Sequence, residues 1–300
     1  MRAADSRLAL RATWLATRAA AAVSPALAGP PAARLWFTPW RVDPGERGRA
    51  RQAEWLKNTE PVTFSAGPHR IAGFSGGPSG DASNGTVLLV HGWGERAASL
   101  GAFVAPLVSS GFRVVGMDAP AHGGSSGGRT DGFEVAAAIR DVCDSIGDVR
   151  AIVAHSMGAM TATYAVSRGL RVDALAFLAP SVRLDHALEV FSQMFALPAA
   201  ATISLRRTID RRYGSDVWER ISGPALAGTM SVPALIVHDR DDSQVALSDA
   251  EELAAAWPGA RLVTTEGLGH GRILRDPKVV EEVVSFVRAQ AGAVSEPVEA

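Results

Sequence analysis

Apolar and polar positions fall into two rhythms along this chain. From about residue 60 onward, short continuous apolar runs bounded by turn residues recur at 86–90, 113–117, 150–154, 174–178, 234–237 and 262–265. Uniform runs of that length suit strands covered on both faces, where neither side of the strand meets water. Between them, apolar residues return every three to four positions over 97–109, 133–145, 157–168, 247–257 and 277–290, which predicts helices. Residues 62–66 and 69–74 read as a hairpin, followed by a loop at 76–85 rich in Gly, Pro, Ser, Asp and Asn. Strands alternating with helices predict an α/β domain with a mostly parallel sheet and helices on both faces.

Two segments break this rhythm. Between Pro180 and Pro233 the chain is far longer than the dozen or so residues a crossover needs, and helical patterns at 185–195, 203–213 and 216–221 predict a helical insertion. Taken together, its Phe191, Met194, Phe195 and Trp218 suit a lid over an apolar pocket, although each alone would suit an ordinary core. At the N-terminus, residues 6–23 place Arg7, Arg11 and Arg18 on one helical stripe and Leu8, Ala12, Leu15, Ala19 and Val23 on its neighbour, the pattern of an amphipathic helix. Pro25, Pro30 and Pro31 are expected to end it, leaving Trp36, Phe37 and Trp40 in an extended arm stapled to the core. Arg11 and Arg18 divide the apolar stretch into pieces too short for a secretory signal or a membrane span. A docked helix is the first reading, weak contact with a membrane surface the second and a cleaved signal the third. The expected division is an N-terminal helix and arm over 1–60, a core over 61–181 and 232–292, an insertion over 182–231 and a disordered tail over 293–300.

Composition narrows the possibilities. Three hundred residues with 47% hydrophobic and 20% charged side chains can bury a full core. A formal net charge of -1 gives no electrostatic argument for a nucleic-acid partner, and the arginines are scattered rather than blocked. The single cysteine, Cys143, excludes an internal disulfide and a thiolate metal site, which suits a reducing cytoplasm.

The chemistry gathers where strands end. Ala154-His155-Ser156-Met157-Gly158 follows an apolar run and opens a small-residue helix, the G-x-S-x-G elbow with Ala at its first position. Such a turn exposes a serine as a nucleophile and needs small residues on either side because strand and helix nearly touch. His91-Gly92-Trp93-Gly94 ends the run at 86–90, so the Trp93 amide, with that of Met157, could bind a developing oxyanion. His238-Asp239-Arg240-Asp241-Asp242 offers carboxylates able to orient a histidine, and Gly267-Leu268-Gly269-His270 offers that histidine after the last strand.

On these motifs, together with Asp118-Ala119-Pro120-Ala121-His122-Gly123-Gly124-Ser125, the chain from about residue 60 to 290 resembles the α/β-hydrolase family. The resemblance implies an eight-stranded, mostly parallel sheet with a small helical lid between strands 6 and 7, and a Ser-His-Asp triad with neither metal nor cofactor. The family's H-G-x-x-D pattern points to Asp242 as the acid. Asp239, standing where that pattern has Gly, keeps Asp239 and Asp241 as alternatives. Asp118 and His122 are expected to support the loop at the sheet edge. Members that open epoxides or displace halide carry Asp as nucleophile, against which Ser156 argues. The implied activity is cleavage of an ester or thioester of a small hydrophobic acyl substrate. Acyl transfer, perhydrolysis, carbon–carbon hydrolysis and non-catalytic binding are the alternatives on the same fold.

Overall fold

The computed structural model describes residues 3–40, 43–80 and 83–292, so the tail expected at 293–300 lies outside the described residues. The chain opens with three helices, α1 (Ala3–Val23), α2 (Pro25–Trp36) and α3 (Gly45–Trp55). Eight strands follow: β1 (Glu60–Ala66), β2 (His69–Gly76), β3 (Thr86–Val90), β4 (Arg113–Met117), β5 (Val149–His155), β6 (Ala174–Leu178), β7 (Ala234–Asp239) and β8 (Arg261–Thr265). They form one sheet in the order β1-β2-β4-β3-β5-β6-β7-β8. β2 pairs antiparallel with β1 and β4, and every other pairing is parallel. The resemblance anticipated this architecture, and the apolar runs mark its centre because every residue of β3, β6 and β7 is buried.

Alternating side chains of the strands feed two cores. Leu88 and Val90 of β3 face the layer formed by α5 (Gly132–Ile146), α6 (Met157–Ser167) and α11 (Leu247–Ala256). Val87 and Leu89 face α4 (Val104–Ser109) and α13 (Pro277–Gly292) on the other side. The helix expected over 97–109 divides into a 3₁₀ stretch, Ala97–Phe103, followed by α4. Cys143 is buried in the first core, where burial and the nearby Asp144 push its thiol up to about 12.

Between β6 and β7 lie α7 (Leu184–Met194), α8 (Ala199–Tyr213), α9 (Val217–Arg220) and α10 (Gly223–Ala227). A third core joins this insertion to the N-terminus: Ala32, Leu35 and Phe37 pack with Leu188, Phe191, Leu205, Ile209, Val217 and Trp218. The first helix ends at Val23, as expected before Pro25, but the extended arm expected after it is corrected, because a second helix takes up the prolines. Pro25 begins α2, where its missing N–H costs nothing, while Pro30 and Pro31 lie inside the helix. Burial of Ala28, Ala32 and Leu35 offsets their lost hydrogen bonds. Among the described side chains of α1, Trp14 and Thr17 turn inward, whereas Ala12, Leu15, Ala19 and Val23 of the expected apolar stripe are exposed. The Trp14 indole donates to the Phe195 carbonyl at 2.6 Å and Arg18 to that of Ala196 at 2.9 Å, so α1 is docked onto the insertion. No helix among the described residues is long and apolar enough to cross a membrane.

Candidate active site

β5 and α6 meet at Ser156, whose backbone sits at φ 51° and ψ -120°. A non-glycine residue there carries strain of about 1–3 kcal/mol, so its surroundings must hold it. The Ser156 amide donates to the Leu178 carbonyl at 3.1 Å, and the Ser181 amide donates to that of Ser156 at 3.2 Å, pinning the turn to the end of β6. Small neighbours are needed on both sides. A Cβ on Gly158 would lie 2.7 Å from the Val90 carbonyl oxygen and 2.8 Å from that of His91, and one on Gly92 would lie 3.0 Å from the Ser156 Cβ.

The segment after β7 divides its carboxylates between two tasks. Asp239 accepts from the Thr265 hydroxyl at 2.7 Å and from the amides of Gly269, Leu268 and Asp241 at 2.9 to 3.0 Å, and Asp241 accepts from the Gly267 amide at 2.8 Å. These bonds shape the turn leading into α12 (Gly269–Arg272), a short helix where the sequence suggested a loop. Asp242 instead meets the histidine on that helix: His270 Nδ1–H donates to its Oδ2 at 2.7 Å. The other oxygen, Oδ1, accepts from the amides of Gln244 at 2.8 Å and Val245 at 3.0 Å. Burial of the Asp242 carboxylate opposes its charge, but His270 and these amides outweigh it and hold its pKa below the usual carboxylate value. Of the three acids only Asp242 hydrogen-bonds His270. Burial pushes the His270 imidazole pKa down, as does the charge of His155, against the pull of Asp242.

Sequence reasoning missed a second imidazole–carboxylate pair behind the first. His155 Nδ1–H donates to Glu95 Oε2 at 3.0 Å and its Nε2–H to the His270 carbonyl at 3.1 Å. The same Glu95 oxygen accepts from the Gly92 amide at 3.2 Å. Burial alone would lower the His155 pKa, yet Glu95's charge and hydrogen bond raise it, and the partnership brings Glu95 down to about 2. His155 and His270 stack with ring centroids 4.6 Å apart. One buried pair therefore ties the Gly92 loop to the helix of His270. The signal was in the chain: Glu95 directly follows His91-Gly92-Trp93-Gly94, and His155 precedes Ser156.

The neighbouring residues brace the loops around this pair. His91 accepts from the Ala119 amide at 3.0 Å and donates to the Gly92 carbonyl at 2.7 Å, while burial lowers its pKa. Asp118 accepts from the amides of Ala97 at 2.8 Å and Gly124 at 2.7 Å, and His122 donates to the Pro120 carbonyl at 2.9 Å, so both brace the loop after β4.

Ser156, His270, Asp242, Trp93 and Met157 all line one cavity of about 640 Å³. Trp93 is the second residue of a turn closed by the Glu95 amide on the Gly92 carbonyl at 3.2 Å, and Met157 opens α6, so its amide has no acceptor within the helix. Phe191 and Met194 also line the cavity, whereas Phe195 and Trp218 do not. Trp218 is consumed inside the insertion, donating to Asp210 at 2.6 Å beneath the Arg206 guanidinium. Phe195 packs against Phe191 and Trp40 at 4.8 and 5.4 Å between centroids. Trp36, Phe37 and Trp40, expected as a staple, pack on the third core and also line the cavity. Among the described residues no group of three or more His, Cys, Asp or Glu is arranged to hold a metal ion.

The sequence profile of the alpha/beta hydrolase family matches residues 87–283. No curated protein matches the sequence. Among solved structures, an esterase from Pyrococcus furiosus is similar over 85% of this chain and 100% of its own, with 18% identity and a TM-score of 0.64. An esterase from Exiguobacterium antarcticum is similar over 76% of this chain and 100% of its own, with 18% identity and a TM-score of 0.59. A thioesterase domain from the curacin biosynthetic pathway is similar over 77% of this chain and 99% of its own, with 20% identity and a TM-score of 0.56.

Proposed function

Because this chain belongs to the alpha/beta hydrolase family, we propose that it is a serine hydrolase cleaving an ester or thioester of a hydrophobic acyl substrate. The observation that carries this reading is the Asp242–His270 hydrogen bond, made in the cavity that also holds Ser156 on its strained turn. Asp242 fixes the tautomer with a proton on Nδ1, leaving Nε2 as the base. Ser156 Oγ loses its proton to His270 Nε2 and attacks the acyl carbon. The Trp93 and Met157 amides bind the oxyanion, and imidazolium then protonates the leaving alcohol or thiol. Water repeats the sequence on the acyl-enzyme and releases the acid. The esterases and thioesterase of similar fold support this class of substrate. In this reading residues 61–181 and 232–292 carry the chemistry, and 182–231 form a lid whose Phe191 and Met194 cover the acyl group.

Labelling with a fluorophosphonate and hydrolysis of acyl esters of increasing chain length test the proposal together. Ser156→Ala should abolish labelling and lower turnover by about a thousandfold or more while far-UV circular dichroism is unchanged. Labelling that survives the substitution removes Ser156 from its role.

A further inference from the structure

Part of the cavity wall comes from outside the segment matching the family. Trp36, Phe37 and Trp40 precede residue 87 and line the cavity beside Phe133, Phe191 and Tyr213. Their rings meet edge to face: Trp36 stands on Phe191 at 5.0 Å and 86°, and Phe37 on Tyr213 at 6.2 Å and 60°. Phe133 reaches Tyr213 at 5.3 Å. The arm carrying them is fixed at several points. The Thr130 amide donates to the Phe37 carbonyl at 2.9 Å, and the Arg212 guanidinium lies 4.9 Å from the Phe37 ring. The Trp40 carbonyl comes so close to Gly94 that a Cβ there would be 2.3 Å away.

The cavity has a chemical direction. Along the segment after Asp242 the lining is polar, with Ser243, Gln244, Ser248 and Asp249 beside His186, whose Nδ1–H donates to Asp249 at 2.7 Å, while on the ring side Asp131 is engaged by the Tyr213 hydroxyl at 2.6 Å. That segment begins one residue after Asp242, the partner of the histidine that must protonate the leaving group. The aromatic wall is instead continuous with the oxyanion loop, since Trp40 contacts the Trp93 ring at 6.3 Å. The leaving group therefore belongs on the polar side and the acyl group among the rings.

Resting on the serine-hydrolase reading, we propose that the arm from Trp36 to Trp40 completes an acyl subsite selective for an aromatic ring, so that the substrate is an ester or thioester with an aryl-bearing acyl group and a polar leaving group. Rings held edge to face present both faces and edges, which a planar guest can match and an alkyl chain cannot. Each aromatic side chain has only two rotatable bonds, so the wall keeps its shape when empty.

The test compares 4-nitrophenyl esters of acetate, hexanoate and 3-phenylpropionate, the last two of comparable hydrophobicity. The unaltered protein should prefer 3-phenylpropionate to hexanoate by about tenfold in kcat/KM. Trp36→Leu and Trp40→Leu keep apolar bulk, and each should reduce that ratio by about fivefold. No preference in the unaltered protein, or an equal factor of loss on all three esters, overturns the aromatic subsite. If the Leu variants do not fold, boronic acid inhibition of the unaltered protein decides: 2-phenylethylboronic acid should bind more tightly than pentylboronic acid, and equal inhibition overturns the proposal. Fluorophosphonate labelling separates the two ideas. An unlabelled Ser156 defeats the hydrolase reading, whereas a labelled Ser156 with no aryl preference defeats only the subsite.

Discussion

The pairs His270–Asp242 and His155–Glu95 are built from the same two groups and stack against each other, yet their imidazoles shift in opposite directions. The Asp242 carboxylate is buried and that of Glu95 half-buried, and both are held below their ordinary pKa values. The difference lies in how many ring nitrogens are committed. His155 donates from both, to Glu95 and to the His270 carbonyl, so protonation is favoured and the ring is locked. His270 spends only Nδ1, and burial beside the charged His155 favours its neutral form. One pair thus has a nitrogen available to accept a proton, and the other holds the backbone around it. Composition alone would not distinguish them.

The largest effect should come from breaking the pair with the available nitrogen. In Asp242→Asn the tautomer of His270 is no longer enforced, and turnover should fall by about ten-thousandfold with the unfolding midpoint little changed. Asp239→Asn, which disturbs four hydrogen bonds of the adjoining turn, should reverse the emphasis, costing stability more than turnover. Steady-state kinetics beside chemical denaturation checks both, and a turnover loss greater in Asp239→Asn than in Asp242→Asn would transfer the orienting role to Asp239.

Breaking the locked pair should be felt first in stability. Glu95→Gln leaves His155 buried without its counter-charge and should cost about 3 kcal/mol at neutral pH by urea denaturation. Because Glu95 is depressed from about 4.5 to about 2, its contribution is present above the upper value and lost as pH falls through that window. Acid unfolding that differs between Glu95→Gln and the unaltered protein only above that window would contradict the pairing.

The smallest effect sharpens the contrast. A general base with a lowered pKa stays neutral further into acid, so the acid limb of kcat/KM should have its midpoint below the ordinary imidazole value of about 6.5. Once Glu95→Gln lets His155 become neutral, the limb should move to higher pH. An unmoved limb would mean that loss of the His155 charge does not outweigh loss of the Glu95 carboxylate, whose own charge raises the His270 pKa.

These pairs also mark how far the chain could be read unaided. The runs at 86–90, 113–117 and 174–178 coincide with β3, β4 and β6 because a strand buried on both faces tolerates only apolar residues, a constraint local to each run. The turns carrying Ser156 and His270 stood out for a related reason, since tight turns at strand ends demand small residues around them. Glu95 and His155 each adjoin a motif, but their pairing was not visible, because 60 positions separate them and a hydrogen bond across the sheet edge leaves no periodic trace. The prolines of α2 misled through a sound local rule, as a helix that packs on the insertion gains more from Ala32 and Leu35 than the rings cost. Trp36 and Trp40 were read as a staple of an extended arm, but which residues face a cavity depends on neighbours more than a hundred residues away.

Cys143 offers an experimental handle by being silent. With its thiol pushed up to about 12 and buried, about one molecule in ten thousand carries a thiolate at pH 8. Maleimides and iodoacetamides should therefore leave the folded protein unmodified, and no background substitution is needed before a thiol is introduced elsewhere. Met194 is the position to choose, being 49% exposed while lining the cavity. A fluorophore attached through Met194→Cys would sit at the cavity mouth as the sole conjugate and report occupancy in real time, without a chromogenic substrate.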